Sequence, residues 1–202
     1  MFAQSRIPLR LVSDAPLRGA LVLVVGPSGA GKDSLIAGAR TRLAAAEAFV
    51  FPRREITRPH DAGGEDHLPV EESQFHARRV LGGYLLSWGA LGSWYGVPAD
   101  TLVDLQAGRT VVVNASRTVL DEARARFRNL RIVSVNADDD TLRARLAGRA
   151  REDALQIDRR LERARAFRVD GEGVIPFRND GDLDEAVGRF TKLLVGIGTT
   201  RD

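Results

Sequence analysis

The stretch Gly26-Pro27-Ser28-Gly29-Ala30-Gly31-Lys32-Asp33-Ser34 constrains this chain more than any other. It follows an unbroken apolar run, Ala20-Leu21-Val22-Leu23-Val24-Val25, and leads into a helical pattern, Leu35-Ile36-Ala37-Gly38-Ala39-Arg40. Strand, glycine loop and helix in that order are the context a phosphate-binding loop requires. The glycines let the backbone curl so that successive N–H groups point at anionic oxygens. The helix N-terminus adds the positive end of its dipole. Lys32 brings a full positive charge to the same place. The alternative is a glycine-rich turn that merely starts a helix; a strand before it and a helix after it favour the nucleotide reading.

Gly26, Gly31 and Lys32 match the Walker A spacing, so residues Gly26, Pro27, Ser28, Gly29, Ala30, Gly31, Lys32, Asp33 and Ser34 are the expected ATP-phosphate cradle. The position after the lysine departs from that pattern. A Ser or Thr there usually holds Mg²⁺ through its hydroxyl, whereas this chain has Asp33, followed by Ser34. A carboxylate is a good ligand for a hard cation, so Asp33 and Ser34 both stand as candidate Mg²⁺ ligands.

Beyond the loop, apolar runs alternate with helical patterns. Strands are expected at 20–25, 48–51, 110–114, 131–136 and, weakly, 174–177. Helices are expected at 32–46, 100–107, 117–126, 139–148, 152–168 and 183–195. This is the pattern of βαβ units: an α/β fold with a parallel sheet flanked by helices. Asp139 and Asp140 are candidate caps for their helix. Asp182 precedes a core-facing stripe of Leu183, Ala186, Val187 and Phe190. Residues 53–98 break the alternation, hold all three histidines and both tryptophans, and read as an inserted acceptor-binding subdomain.

The length of 202 residues suits one such domain, expected over 19–202 after an N-terminal extension of 1–18. The chain has no Cys, which excludes disulfides and thiolate metal sites. The apolar stretch from Phe2 to Leu11 is broken by Arg6, Pro8 and Arg10, and lacks the core of a secretory signal. With no run long enough for a membrane span, the expected location is cytoplasmic, without a membrane partner. The net charge is +3, and Lys32 and Lys192 are the only lysines. Arg suits bidentate phosphate binding. Acidic and basic residues are interspersed, which argues against a nucleic-acid partner. Nothing in the pattern fixes an oligomeric state.

The middle of the chain reads Ile56-Thr57-Arg58-Pro59, then Gly63-Gly64-Glu65-Asp66-His67, then Leu86-Ser87-Trp88 and Tyr95-Gly96-Val97-Pro98. This order resembles the guanylate kinase family, from about Ala20 to the final helix. The resemblance implies a P-loop kinase core, an inserted acceptor subdomain over 53–98 and a lid over 142–160. Guanylate kinases read guanine with two carboxylates; the corresponding positions here are Ser87 and Asn114. Without them the base reader is gone, and a site built on hydrogen bonds discriminates strongly. Lys-Asp-Ser after the loop and Val113-Asn114-Ala115-Ser116-Arg117 are similar instead to the ribose 1,5-bisphosphate phosphokinases, which share that fold. That resemblance implies ATP and Mg²⁺, a sugar bisphosphate acceptor that has no base, the product phosphoribosyl pyrophosphate, and a place in phosphonate catabolism.

It also implies roles. Lys32, Arg58 and Arg149 are the expected catalytic cations, with Arg145 and Arg149 closing over ATP from the lid. Arg58, His67, Tyr95, Asn114 and Arg160 are the expected acceptor-binding residues, joined by Arg54 and Arg117, which stand where guanylate kinases carry other residues and are read as holding the extra phosphate. Two bland alternatives stand beside these. His67 is as well explained by a structural pairing with Asp66, and Trp88 and Trp94 suit a subdomain core better than a ligand platform. Two other functions share this pattern: a nucleoside monophosphate kinase, guanylate first, and a non-catalytic guanylate-kinase-like binding module. The intact loop with Lys32 argues against the module.

Overall fold

The computed structural model describes residues 17–59, 66–147, 161–162 and 168–199. The chain opens with β1 (Leu21–Val25), whose five residues are all buried. A strand covered on both faces needs an apolar residue at every position, and this is the run the sequence shows. Val22 and Val24 enter one core with Leu35, Ala39, Val133 and Phe190. Leu21, Leu23 and Val25 enter the other with Leu86, Trp88, Val111 and Ile132. Each such fully buried side chain contributes about 1.5–3 kcal/mol relative to exposure.

After β1 come α1 (Lys32–Arg42), β2 (Phe49–Val50), β3 (Glu55–Ile56), β4 (Leu68–Pro69) and α2 (Glu72–Val80). Next are β5 (Tyr84–Ala90), β6 (Ser93–Pro98), α3 (Thr101–Gln106), β7 (Thr110–Asn114) and α4 (Leu120–Arg126). The chain finishes with β8 (Leu130–Asn136), α5 (Asp139–Ala147), β9 (Val174–Arg178) and α6 (Leu183–Thr199). The main sheet has the order β2-β7-β1-β8-β9 and every pairing in it is parallel. The loop after β1 thus emerges at the carboxyl edge between two neighbours reached from opposite directions, where ligands bind in open α/β sheets.

Residues between 53 and 98 build a second sheet, β4-β3-β6-β5, with β6 antiparallel to both β3 and β5. β5 and β6 join through Leu91 and Gly92, both at positive φ (50° and 75°), the two-residue hairpin turn that matches strand twist. The apolar residues Leu86, Trp88, Tyr95 and Val97 of this hairpin join the second core. The small sheet is therefore anchored to the main one through shared burial.

Several boundaries differ from expectation for local reasons. α1 ends at Arg42, and 44–46 fold into turns, with the Ala46 N–H on the Leu43 carbonyl at 2.9 Å. The 117–126 helix opens as a 3₁₀ turn (Arg117–Val119) behind Ser116, whose Oγ accepts from the Thr118 N–H. Asp138 caps α5, accepting from the Thr141 N–H at 2.7 Å; Asp139 and Asp140 occupy the first turn instead. That hydrogen bond holds the Asp138 carboxyl below the usual aspartate range. Asp182 caps α6 through the Glu185 N–H at 3.0 Å, and the helix continues to Thr199. Leu183 is exposed, whereas Ala186, Val187 and Phe190 are buried. Most of the expected 152–168 helix lies outside the described residues. No described helix is long and apolar enough to cross a membrane.

Candidate active site

The glycine loop is shaped by its neighbours. A Cβ on Gly26 would collide with the carbonyl of Val135 in β8. Gly31 sits at the N-cap of α1 with φ 83°, and a Cβ there would collide with the Asn179 side-chain amide. Only glycine fits both the left-handed backbone and the close approach. α1 begins without a side-chain cap, which leaves its first N–H groups for an anion. The Lys32 ammonium donates to the carbonyls of Gly26 (2.8 Å) and Pro27 (3.0 Å), across the mouth of the loop. Ser28, Gly29, Gly31, Lys32, Asp33 and Ser34 line a recess of about 70 Å³.

A second cleft, about 250 Å³, lies beside the first and shares Asp33 and Ser34 with it. Its walls carry Arg40, Arg53, Arg54, Asp66 and Asn114. Asn114, at the end of β7, donates its amide to Asp33 Oδ1 at 2.5 Å. The Asp66 carboxylate holds Arg40 at 3.3 Å and Arg53 at 2.9 Å.

Arg54 is buried at 7% exposure. Burial pushes its pKa down to about 10, with Arg58 adding to that, while Asp33 and Tyr95 act in the opposite sense. It stays protonated at neutral pH. Its Cζ lies 5.6 Å from the Trp88 ring centroid and 5.3 Å from that of Tyr95.

Among the described residues, the other expected acceptor residues do not line this cleft. His67 is fully buried, and its Nε2 meets the Arg58 carbonyl at 3.0 Å, so that nitrogen donates. The buried ring thus fixes the Arg58 backbone. Its expected structural partner Asp66 is engaged by arginines, as above. Tyr95 lies under Arg54, and Arg58 is half-buried in the bend that follows β3. Arg117 is exposed on the 3₁₀ turn three residues beyond Asn114 and is not part of the cleft wall. Arg149 and Arg160 lie outside the described residues.

Arg145 projects from α5 toward the loop. Its Nη1 is buried and has no hydrogen-bond partner among the described residues, and it lies 3.5 Å from where a Gly31 Cβ would stand. A buried, unpaired guanidinium nitrogen over a phosphate-binding loop fits an anionic group. Mg²⁺ bound to nucleotides needs only one or two protein oxygens beside the phosphates and water. Asp33 and Ser34, exposed between the two recesses, are such a set.

Three residues escaped the sequence reading. Asn179 is fully buried and donates to the Ala30 carbonyl at 2.7 Å, tying the loop to the end of β9. Its sequence context, Asn179-Asp180-Gly181, carries a turn signal. Arg40 was legible: Asp33, Ile36, Ala37 and Arg40 share one helical face, and all four line the cleft. Arg53 adjoins Arg54 and Thr57-Arg58-Pro59, a cue that was present but not separable from a surface charge.

The structure of guanylate kinase from Anaplasma phagocytophilum superposes with a TM-score of 0.62, covering 91% of this chain and 88% of that one at 17% identity. The fold is thus guanylate-kinase-like, a parallel sheet flanked by helices. No family model matches the chain. Ribose 1,5-bisphosphate phosphokinase PhnN of Acidiphilium cryptum is 51% identical over 160 residues, spanning 79% of this chain and 84% of the relative. Its namesake in Desulfomicrobium baculatum is 43% identical over 165 residues, 82% and 88% of the two chains. The chain belongs to the ribose 1,5-bisphosphate phosphokinase family.

Proposed function

We infer that this protein transfers the γ-phosphoryl group of ATP to the 1-phosphate of ribose 1,5-bisphosphate, giving ADP and phosphoribosyl pyrophosphate, as a step in phosphonate catabolism. The observation that carries this reading is the Asn114–Asp33 hydrogen bond at the junction of the two recesses. The position at which guanylate kinases keep a base-reading carboxylate is here an amide turned to the loop's aspartate. The adjoining cleft carries three arginines against two carboxylates.

The chemistry asks little of a base. A phosphate monoester has its second pKa near ~6, so the acceptor oxygen is already ionised at neutral pH. Catalysis reduces to in-line positioning and neutralisation of charge. The loop N–H groups and Lys32 would hold the ATP phosphates. Arg145 would meet charge on the transferring group, with Arg149 of the lid expected beside it. Arg40, Arg53 and Arg54 would hold the acceptor phosphates, with Arg58 and Arg117 at the rim. Asp33 and Ser34 would hold Mg²⁺, which would supply positive charge to offset that of the phosphates.

Phosphorus NMR with Mg-ATP tests this, offering ribose 1,5-bisphosphate and guanylate in parallel. A new pyrophosphate signal with the sugar, and little guanosine diphosphate, is expected. Guanosine diphosphate alone would leave the fold standing and overturn the acceptor. Lys32→Ala is expected to lower turnover by about 10²–10³-fold, and near-native turnover would sink the proposed mechanism.

A further inference from the structure

Trp88 and Tyr95 face each other across β5 and β6 at one register position. Their ring planes lie within 3° of parallel, with centroids 5.6 Å apart. Paired flat aromatic faces beside a phosphate site are a surface on which a nucleobase stacks. Neither ring, however, lines the cleft; their exposures are 5% and 8%. Arg54 lies between them and the cleft. Its guanidinium covers both rings, and the residue itself lines the cleft with Asp33 and Asn114.

A guanidinium is planar, weakly hydrated and favoured over aromatic faces, so it fills this position much as a base would. The rings beneath it and the negative charge of Asp33, on the cleft wall, both favour the guanidinium there. A base entering the cleft must displace a desolvated cation before it can stack. A phosphate entering the same cleft meets that cation directly.

We propose that Arg54 is a specificity-determining residue: it occupies the Trp88–Tyr95 face, excludes a nucleobase from the acceptor cleft, and presents a cation to a sugar phosphate instead. The proposal deepens the acceptor assignment above and rests on it for the identity of the sugar. It separates two properties of Arg54, its coverage of the rings and its charge, and each has its own substitution. Arg54→Ala removes both. Arg54→Met removes the charge and keeps the rings covered with a long apolar side chain.

The experiment measures binding of guanosine 5′-monophosphate by tryptophan fluorescence and calorimetry, and KM for ribose 1,5-bisphosphate, in wild type and both variants. Arg54→Ala is expected to bind the nucleotide about tenfold or more tightly than wild type, as one base–aromatic stack gives. Arg54→Met is expected to show no such gain, and both variants to raise KM for the sugar. If Arg54→Ala fails to fold by circular dichroism, Arg54→Ser takes its place. The proposal is overturned if the opened variant is folded and binds Mg-ATP normally, yet binds the nucleotide no more tightly than wild type. It is overturned equally if Arg54→Met gains as much as Arg54→Ala. Wild-type inactivity toward the sugar would instead overturn the functional reading, because the comparison of nucleotide affinities needs no turnover.

Discussion

The side-chain amide of Asn179 donates to the carbonyl of Ala30 at 2.7 Å, closing a contact between positions 149 residues apart. The Asn179 N–H is itself bonded to the Asn136 carbonyl at 2.8 Å, so the phosphate loop is pinned to the ends of β8 and β9 together. Asn179→Ala leaves the Ala30 carbonyl without that donor inside the fold, at an expected cost of about 1–3 kcal/mol. Urea unfolding should show that loss, and KM for ATP should rise with it. An unchanged KM alongside lost stability would make Asn179 a purely structural tie.

With Mg²⁺ assigned to Asp33 in the proposed mechanism, the Asn114 hydrogen bond orients a metal ligand. Removing a group that orients a metal ligand typically costs 10–100-fold in metal affinity or activity. Asn114→Ala is expected to raise the Mg²⁺ concentration for half-maximal rate by about tenfold or more. Asp33→Ser, which restores a hydroxyl after Lys32, should retain more activity than Asp33→Ala. Identical Mg²⁺ titrations for wild type and Asn114→Ala would separate the hydrogen bond from metal binding.

Arg145 offers a buried guanidinium nitrogen to the loop, and the proposed mechanism assigns it to charge on the transferring group rather than to ground-state binding. Arg145→Ala should therefore lower kcat by about 10²–10³-fold while KM for either substrate changes little. A large rise in KM for ATP at constant kcat would assign Arg145 to uniform binding instead.

Tyr84 sets an alkaline limit. Its hydroxyl donates to buried Glu55 at 2.6 Å, and Arg78 pairs with the same carboxylate. Burial, and then the Glu55 hydrogen bond and charge, push the phenol well above its usual range. The protonated phenol is thus favoured more in the folded state than in the unfolded one. Its contribution is complete below the unfolded pKa of about 10 and is lost as pH rises toward the folded value. Of the two tyrosines in the chain, Tyr84 should ionise only as the protein unfolds in a titration followed by absorbance. Tyr84→Phe should abolish that late step; a Tyr84 phenol that titrates near 10 in the native protein would contradict it.

What the sequence determined by itself was the main sheet and its loop. Every residue of β1 is apolar because both its faces are covered, and Gly26 and Gly31 stand where a Cβ would collide with Val135 and Asn179. Such demands act residue by residue, so they leave a readable pattern. Lys32, Asp33 and Arg54 were likewise legible as site candidates from their motifs. The second sheet was not, because β3 and β4 are two residues long, too short for any periodicity. Tertiary structure alone decided which polar residues meet: Asn179 with Ala30, His67 with the Arg58 backbone, Asp66 with Arg40 and Arg53, and Arg54 with the Trp88–Tyr95 pair. These contacts join positions on separate elements, and a hydrogen bond or ring contact between them depends on packing geometry that no local pattern encodes.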